Sequence, residues 1–529
     1  MQKLLDPLVA QEDIVFFKIT FNANANDVEG KIDSINVKAG NSVKLPDSKG
    51  FTRKDYTFTC WTTDRRGSEK QYAAGDEYIP KRNTTFYAQW ERTGIHGPVV
   101  NVTDEFGENL IEKLKWIEEN ADSDTTYVIV LNDGETLAAS ELTYSGKSNI
   151  TIQISGGEGG KSINLSASDK PLFTIGKGVT LELSEVTLKG KEGNSASLVY
   201  VEGGELIING GVTITGNDNK YNGGAVYVAN DGTFTMNGGE ISGNNAVLGG
   251  GVYVYSGTFN MNDGEISNNT AQSGGGVYVA NDGTFTMESG TISGNKATVN
   301  GGGVYNSGTF NMEGGEIGGG NSANANGGGV YNNGAFIMTD GKISGNSANA
   351  NGGGVYVDIN SEFTMNGGEI SYNTVNGIGG GVYVNRKSEF AMYSGEISGN
   401  KATGSGGGVY VFGVEGEENP DSKFIAGGTA KVFENNGGNG LNNVFLDWWS
   451  YITPGEGANV PNGMKIYVQT AEGFGVIVFK GATKEMETYF ISDDLNKEVI
   501  FQLQEGEEPL GQLIMIWNEF ETPTTPEEE

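Results

Sequence analysis

The chain has 529 residues, of which 85 are glycine, and its 34 basic and 67 acidic side chains give a formal net charge of −33. That excess of carboxylates argues against a nucleic-acid partner, because phosphate binding needs clustered Lys and Arg side chains. One cysteine, Cys60, excludes an intrachain disulfide, and a single histidine, His96, argues against a zinc site. We therefore predict neither a metal nor a cofactor.

The two ends of the sequence show no membrane-spanning pattern. Asp6 and Pro7 interrupt the apolar stretch near the N-terminus, and no later window has 18 consecutive apolar residues. We expect residues 1–13 to be a disordered or truncated lead and residues 521–529 to be an acidic disordered tail. A signal for export and an anchor would then lie outside this sequence.

Residues 14–91 form a separate module that is rich in aromatic residues. Its strand-like segments include Ile19-Thr-Phe-Asn-Ala-Asn24, Tyr56-Thr-Phe-Thr-Cys-Trp61 and Thr85-Phe-Tyr-Ala-Gln-Trp90. This pattern resembles the internalin-type B repeat, also called the Listeria–Bacteroides repeat, although Cys60 stands where the family usually has Gly. The resemblance implies a small β-grasp-like module and a secreted or surface-anchored bacterial protein.

A linker and a helix are predicted next. Residues 92–107 are expected to be the linker, and residues 108–121 an amphipathic helix with Leu110, Leu114 and Ile117 on one face. Because the end of a stack of strands exposes unpaired backbone, we predict that this helix caps the repeats that follow.

A repeat of 25–27 residues dominates the chain from Tyr200 to Val411. Each unit has a Gly-rich step, a Val-Tyr pair, a Phe seven residues before an Ile and, in all but one unit, an Asn three residues after that Ile. The exception has the triplet Gly318-Gly-Gly320, which moves its Asn to Asn321.

Each unit contains three short alternating segments, such as Val-Tyr-Val, Phe-Thr-Met and Glu-Ile-Ser. Alternation with a period of two predicts strands. A propeller blade would need four strands and about 40 residues. We therefore predict an all-β fold, a right-handed three-sided parallel β-helix (a solenoid) with about 26 residues per coil over residues 122–480. Residues 481–520 are expected to form a C-terminal cap region.

The repeated Asn is predicted to form a structural ladder at one corner. Equivalent residues of successive coils lie about 4.8 Å apart, so stacked amides can hydrogen-bond from coil to coil. The predicted members are Asn217, Asn244, Asn269, Asn295, Asn346, Asn373 and Asn400.

The repeat also resembles known families. Gly223-Gly-Ala-Val-Tyr227 and Ile241-Ser-Gly-Asn244 are similar to repeats of polymorphic outer-membrane proteins and other adhesin-like passengers, with Ile in place of Phe. The fold resembles that of pectin-lyase-like proteins. These resemblances imply the fold and an extracellular location, but they name no ligand.

The repeated tyrosines point outward and are predicted to form an aromatic stripe. Such a stripe could bind a glycan or a surface protein of a host or neighbouring cell. The alternative is that the tyrosines only favour strand formation and stack on one another, without binding a partner. The candidate binding residues are Tyr227, Tyr253, Tyr278, Tyr305, Tyr331, Tyr356, Tyr383 and Tyr410.

No catalytic residue is predicted. The position before each repeat Ile carries a charged column, but Thr291 and Lys342 interrupt its glutamates, so we interpret it as a solvated face rather than a metal track. An insertion at 412–423 adds four carboxylates, which we interpret as a tolerated loop. The leading hypothesis is a non-enzymatic extracellular or cell-surface bacterial protein, either an adhesin-like binder or a structural stalk. The alternative is a polysaccharide lyase or glycoside hydrolase of the pectin-lyase-like class.

Overall fold

The computed structural model describes residues 16–517, apart from 25–27, 54–55, 64–69, 93–96, 414–421, 439, 449, 456–463, 472–474 and 504–510. The predicted lead and tail, His96 and most of the 412–423 insertion lie outside the described residues. The chain divides into two compact units, Met1–Pro98 and Val99–Glu529.

The first unit is a small β module, as the sequence predicts. Its main sheet has the order Ile35–Lys38, Phe16–Asn22, Thr84–Arg92 and Tyr56–Thr62, with a parallel central pair. Two short antiparallel pairs and one 3-10 helix complete it: Val28–Gly30 with Phe51–Arg53, Val43–Lys44 with Glu77–Tyr78, and Ser48–Gly50.

Trp61 is the centre of the module's core. Its side chain is fully buried, and the indole Nε1 donates a hydrogen bond to the Pro46 carbonyl at 2.8 Å. The rings of Phe21 and Phe58 lie 5.1 and 5.0 Å from it, at angles that suit aromatic pairs. Cys60 is also buried.

The second unit is a parallel β-solenoid of about 14 turns, and the prediction of this fold is confirmed. Three ladders of hydrogen-bonded strands run from coil to coil. Ladder A carries the Val-Tyr pairs, with strands Ser140–Leu142, Phe173–Gly176, Val199–Glu202, Val226–Ala229, Val252–Val254, Val277–Val279, Val304–Asn306, Val330–Asn332, Val355–Val357, Val382–Val384, Val409–Val411 and Val444–Leu446.

Ladder B carries the repeated Phe and Met. Its strands are Val99–Asn101, Thr126–Val130, Ile150–Ser155, Val179–Ser184, Glu205–Ile208, Thr233–Ser242, Thr258–Ser267, Thr284–Met287, Thr309–Met312, Ala335–Met338, Glu362–Met365, Glu389–Met392, Lys423–Ala426 and Ile452–Pro454.

Ladder C carries the repeated Ile. It shares the long strands Thr233–Ser242 and Thr258–Ser267 with ladder B. Its other strands are Glu135–Leu137, Lys161–Leu165, Val186–Lys189, Thr213–Thr215, Thr291–Ser293, Glu316–Gly318, Lys342–Ser344, Glu369–Ser371, Glu396–Ser398, Lys431–Phe433 and Lys465–Thr470.

A fourth, shorter ladder follows the Asn corner, and the sequence did not predict it. Its strands are Thr270–Ser273, Lys296–Asn300, Ser322–Ala323, Ser347–Ala348, Thr374–Val375, Lys401–Ala402 and Asn436–Gly437, ending in the antiparallel Gly440–Leu441. The side chains of Ala348, Val375 and Ala402, which belong to its strands, are buried and pack together. Six of its eight strands have only two residues, too few to show alternation, which is why the pattern gave no signal.

Stacked apolar columns fill the interior of the solenoid. Val226, Val228, Phe234, Met236 and Ile241 of one coil are all fully buried. The Phe rings of successive coils, from Phe234 to Phe424, lie nearly parallel with centroids 4.5–5.2 Å apart. A change in one inward residue therefore disturbs a whole column.

The Gly-rich corners allow the coils to approach closely. Gly301 has φ +68°, which favours glycine. A Cβ at the next residue, Gly302, would lie 2.4 Å from the carbonyl oxygen of Gly328 in the following coil. A larger residue at this step would push two coils apart.

Both ends of the solenoid carry additional structure. Val99–Asn101 lies in the segment predicted as a linker, yet it pairs in parallel with Thr126–Val130, so the first ladder strand precedes the helix Leu110–Asn120. A 3-10 helix, Asp104–Phe106, precedes that helix.

At the C-terminal end of the solenoid, Phe490–Ser492 pairs with ladder strand Lys465–Thr470. The 3-10 helix Lys484–Thr488 and an antiparallel sheet of Gly475–Ala482, Gly511–Trp517 and Lys497–Leu503 complete this end.

Candidate binding surface

The eight candidate tyrosines lie in one column on the outer side of ladder A, and Tyr200 precedes them in the same register. Phe445 continues the column beyond Tyr410. The structure thus brings all eight predicted residues together.

From Tyr278 to Tyr410 the rings stack almost face to face. Their centroids lie 4.6–5.5 Å apart and their planes differ by 3–13°. Each inner ring is therefore covered on both faces by its neighbours. Five of the eight side chains are only 6–8% exposed: Tyr253, Tyr331, Tyr356, Tyr383 and Tyr410. These side chains point outward but are not exposed, because the rings cover one another. This stretch of the column therefore presents ring edges and hydroxyls to solvent rather than ring faces.

Polar side chains of the neighbouring turns hold the hydroxyls. Tyr331 Oη donates to Asp358 Oδ2 at 2.5 Å, and Tyr410 Oη donates to Asp447 Oδ2 at 2.6 Å. Asn385 Nδ2 donates to Tyr356 Oη at 2.9 Å. Burial raises the pKa of every tyrosine in the column, and the hydrogen bond to the carboxylate raises that of Tyr331 further. The column therefore stays neutral well above the usual range of tyrosine.

The N-terminal end of the column is more open. The rings of Tyr200 and Tyr227 meet at 68°, and those of Tyr227 and Tyr253 at 46°, so the faces are not fully covered. Tyr255 lies 6.2 Å from Tyr227 and is 50% exposed. A shallow hollow of about 260 Å³ lies beside these rings and is lined by Tyr200, Tyr227, Tyr221, Asn219, Asn222 and Ser195, among others. We call this region the open end of the tyrosine column.

The repeated asparagines form a buried ladder of side-chain amides. From Asn244 onward each Nδ2 donates to the Oδ1 of the next member at 2.9–3.1 Å. The same Nδ2 donates to a main-chain carbonyl of the preceding coil, as Asn373 does to Ile343. All seven predicted members are 0–1% exposed.

The ladder is longer than the predicted set. Asn321 occupies its place despite the extra glycine before it, and Asn435 and Asn443 continue beyond Asn400. The last member, Asn443, donates through its backbone N and Nδ2 to the two carboxylate oxygens of Asp493 at 2.8 and 2.6 Å. Burial raises the pKa of this carboxyl. The sequence did not predict the members beyond Asn400, because the 412–423 insertion interrupts the repeat period.

The charged column on ladder C is in register across the coils, with Glu240 beside Glu265 and Glu369 beside Glu396. Lys342 interrupts it and pairs with Glu369, Nζ to Oε2 at 2.9 Å. Among the residues that the structure describes, no three His, Cys, Asp or Glu side chains come close enough to hold a metal ion. The carboxylates of residues 415–421 fall outside that part of the chain.

The sequence of the first unit matches a known family. Residues 17–89 match the Listeria-Bacteroides repeat domain (List_Bact_rpt). The match covers the module and leaves the solenoid unassigned.

The chain was also compared with curated proteins and with solved structures. An 85-residue segment, 16% of this chain, is 33% identical to a putative Gly-rich membrane protein of Evansella cellulosilytica and spans 10% of that protein. No solved structure matches the chain. In the described residues, no helix has the length and apolar character needed to cross a bilayer.

Proposed function

We propose that the protein is a non-enzymatic bacterial surface protein whose solenoid is a structural stalk with adhesin-like binding. The observation that carries this proposal is the continuity of the strand ladders from coil to coil. Phe, Tyr and Asn columns continue through successive coils, and three strand ladders bond each coil to its neighbours, with a fourth ladder added from Thr270 onward. Repeat arrays of this kind gain their stability from such nearest-neighbour interfaces.

The surface location rests on the N-terminal module. Domains of the Listeria-Bacteroides repeat type are typical of surface proteins, and the Evansella relative is described as a membrane protein. The resemblance of the solenoid repeats to adhesin-like and pectin-lyase-like proteins supports the same location.

Binding of a glycan or a surface protein is proposed for the open end of the tyrosine column. Tyr221 is 65% exposed and lies at the hollow, whereas Tyr356 is stacked between two rings and only 8% exposed. A bound partner would therefore contact Tyr221 and not Tyr356. On a glycan array, Tyr221→Ala should reduce binding at least tenfold, and Tyr356→Ala should leave it unchanged.

The surface proposal is tested on intact cells of the source bacterium. An antibody against the chain should label intact cells, and external protease should remove the label. Label that appears only after lysis would overturn the surface location. Turnover of a panel of polyuronates and β-glucans by the purified chain, abolished by an Asp or Glu substitution, would instead favour the lyase or hydrolase alternative.

A further inference from the structure

The coils between residues 340 and 398 break the repeat at two positions that lie close together in space. Lys342 occupies the ladder C position that carries Glu316 and Glu369 in the adjacent coils. Tyr372 occupies the corner position that carries Gly345 and Gly399 in the adjacent coils. A binding site needs an asymmetric cluster of side chains, and these two departures supply one.

Tyr372 is held in an unusual backbone conformation. Its φ is +55°, in the left-handed region that the neighbouring glycines adopt at this corner with φ +66°. Such a conformation is unfavourable for a bulky residue and, when it persists, is often associated with function. The side chain is 69% exposed, so burial of the ring does not explain it.

Gly399 makes room for the Tyr372 ring. A Cβ built on Gly399 would lie 2.7 Å from Cε1 and 2.9 Å from Cδ1 of that ring. The ring therefore lies against the backbone of the next coil, while most of its surface remains open to solvent. This arrangement differs from the tyrosine column, where neighbouring rings cover both faces.

A shallow, open groove of about 590 Å³ is lined by this ring and by residues of several coils. Gly314, Gly315, Gly341 and Gly368 leave its floor without side chains, and polar groups line its walls: Asp340, Lys342, Glu369, Glu396 and Ser398. Its volume is in the range of small-molecule binding sites.

The polar groups of the groove are ordered by contacts with one another. Lys342 Nζ lies 2.9 Å from Glu369 Oε2, and Ser398 Oγ donates to Glu396 Oε1 at 3.1 Å. Hydrogen bonds from Ser371 and Lys342 hold the pKa of Glu369 below its usual range, so this carboxylate is ionised at neutral pH. The groove thus presents fixed carboxylate acceptors and one ammonium donor next to an aromatic ring.

We propose that this groove binds a neutral polysaccharide, with one sugar ring packed on Tyr372 and its hydroxyl groups bonded to Glu369, Glu396 and Lys342. The apolar C–H face of a pyranose matches the aromatic ring, and its hydroxyls can both donate to carboxylates and accept from an ammonium. The carboxylates of Asp340, Glu369 and Glu396 outnumber the single Lys342 in the groove. The resulting net negative charge disfavours polyuronates and sulfated glycans. The assignment rests on the proposed surface function and adds to it a second binding site, separate from the open end of the tyrosine column.

The test measures binding of the full chain by calorimetry. The probes are hexasaccharides of glucose, mannose and N-acetylglucosamine, with hexagalacturonate and hexalysine as charged comparisons. At least one neutral hexasaccharide should bind, and hexagalacturonate should bind at least tenfold more weakly. If every neutral probe fails at millimolar concentration, or if hexagalacturonate or hexalysine binds best, the proposal is overturned.

Two substitutions restore the repeat and locate the site. Tyr372→Gly and Lys342→Glu should each weaken binding at least tenfold, and Tyr372→Gly should not lower the melting temperature because glycine suits φ +55°. Asn268→Gly is the matched control, since Asn268 also has φ +55° at this corner of another coil; it should bind as the parent does. Equal binding by parent and Tyr372→Gly would overturn the proposal. Cell-surface labelling of Tyr372→Gly separates this outcome from failure of the surface function, because labelling does not depend on the groove.

Discussion

Replacement of Asn373 tests whether the amide ladder holds the coils together. Its Oδ1 accepts from the backbone N and Nδ2 of Asn346 at 3.0 and 2.9 Å, and its Nδ2 donates to the Ile343 carbonyl and to Asn400 Oδ1 at 2.8 and 2.9 Å. The side chain is fully buried. Like the other inner members of the ladder, Asn373 connects three coils through these side-chain hydrogen bonds.

The expected loss follows from the groups left without partners. Asn373→Ala removes the acceptor of the Asn346 backbone N–H and one donor to the Ile343 carbonyl. A buried polar group without a partner costs about 1–3 kcal/mol, so for these two groups we expect a loss of ~2–6 kcal/mol in the free energy of unfolding.

Asn373→Asp should be worse than alanine at neutral pH. The oxygen that replaces Nδ2 would face two acceptors, the Ile343 carbonyl and Asn400 Oδ1, and the carboxylate would be buried without a counter-charge. These conditions raise the folded-state pKa of the introduced carboxyl, so the folded state binds more protons than the unfolded state. The Asp variant should therefore gain stability as the pH falls from 8 to 5.

The assay is urea unfolding at pH 8 and pH 5, followed by circular dichroism and by hydrogen exchange of the coils around residue 373. Hydrogen exchange is needed because repeat arrays can unfold locally. Asn376→Ala is the matched control, since Asn376 is exposed in the same coil and should change stability by less than about 0.5 kcal/mol. Equal losses in Asn373→Ala and Asn376→Ala, or an Asp variant that is as stable at pH 8 as at pH 5, would refute the reasoning.

Three further predictions concern other contacts. Tyr331→Phe removes the hydrogen bond to Asp358 and should cost ~1 kcal/mol in urea unfolding; no change would show that the bond does not stabilise the fold. Burial raises the pKa of Tyr305 and Tyr383 to about 12, so an ultraviolet titration should show tyrosines ionising well above the usual value near 10. Since the folded pKa is the higher one, this contribution to stability is present below pH 10 and is lost as the pH rises toward 12; constant stability over that range would contradict it. Asp493→Asn places an amide N–H against the donors of the last ladder asparagine, and should cost about 1–3 kcal/mol, measured by the urea midpoint.

Most of the fold could be predicted from spacing alone. The interval of seven residues from Phe to Ile fixes two inward columns, and both Phe234 and Ile241 are fully buried. Stacking of identical coils then repeats each local assignment along the chain, which is why a short pattern determines a long fold.

The candidate sites were harder to predict, because they depend on departures from the repeat. The alternation placed the tyrosines on the outer face but could not show that their rings cover one another. The sequence shows Tyr372 at the position that Gly345 and Gly399 occupy in the adjacent coils, but only the backbone shows that it keeps their left-handed conformation. The sequence shows the extra glycine before Asn321. Only the structure shows that Asn321 still keeps its place in the amide ladder.

The one-way direction of the amide ladder affects how such a chain can change in length. Every inner Asn accepts from the coil before it and donates to the coil after it, so a duplicated or deleted coil leaves no amide without its partner. The carboxylate of Asp493 ends the ladder, because it accepts hydrogen bonds from Asn443 and donates none. The coil that contacts it therefore cannot be duplicated in this way. Gain or loss of whole coils by in-frame recombination is therefore compatible with folding between Asn244 and Asn435, while the terminal coil is fixed.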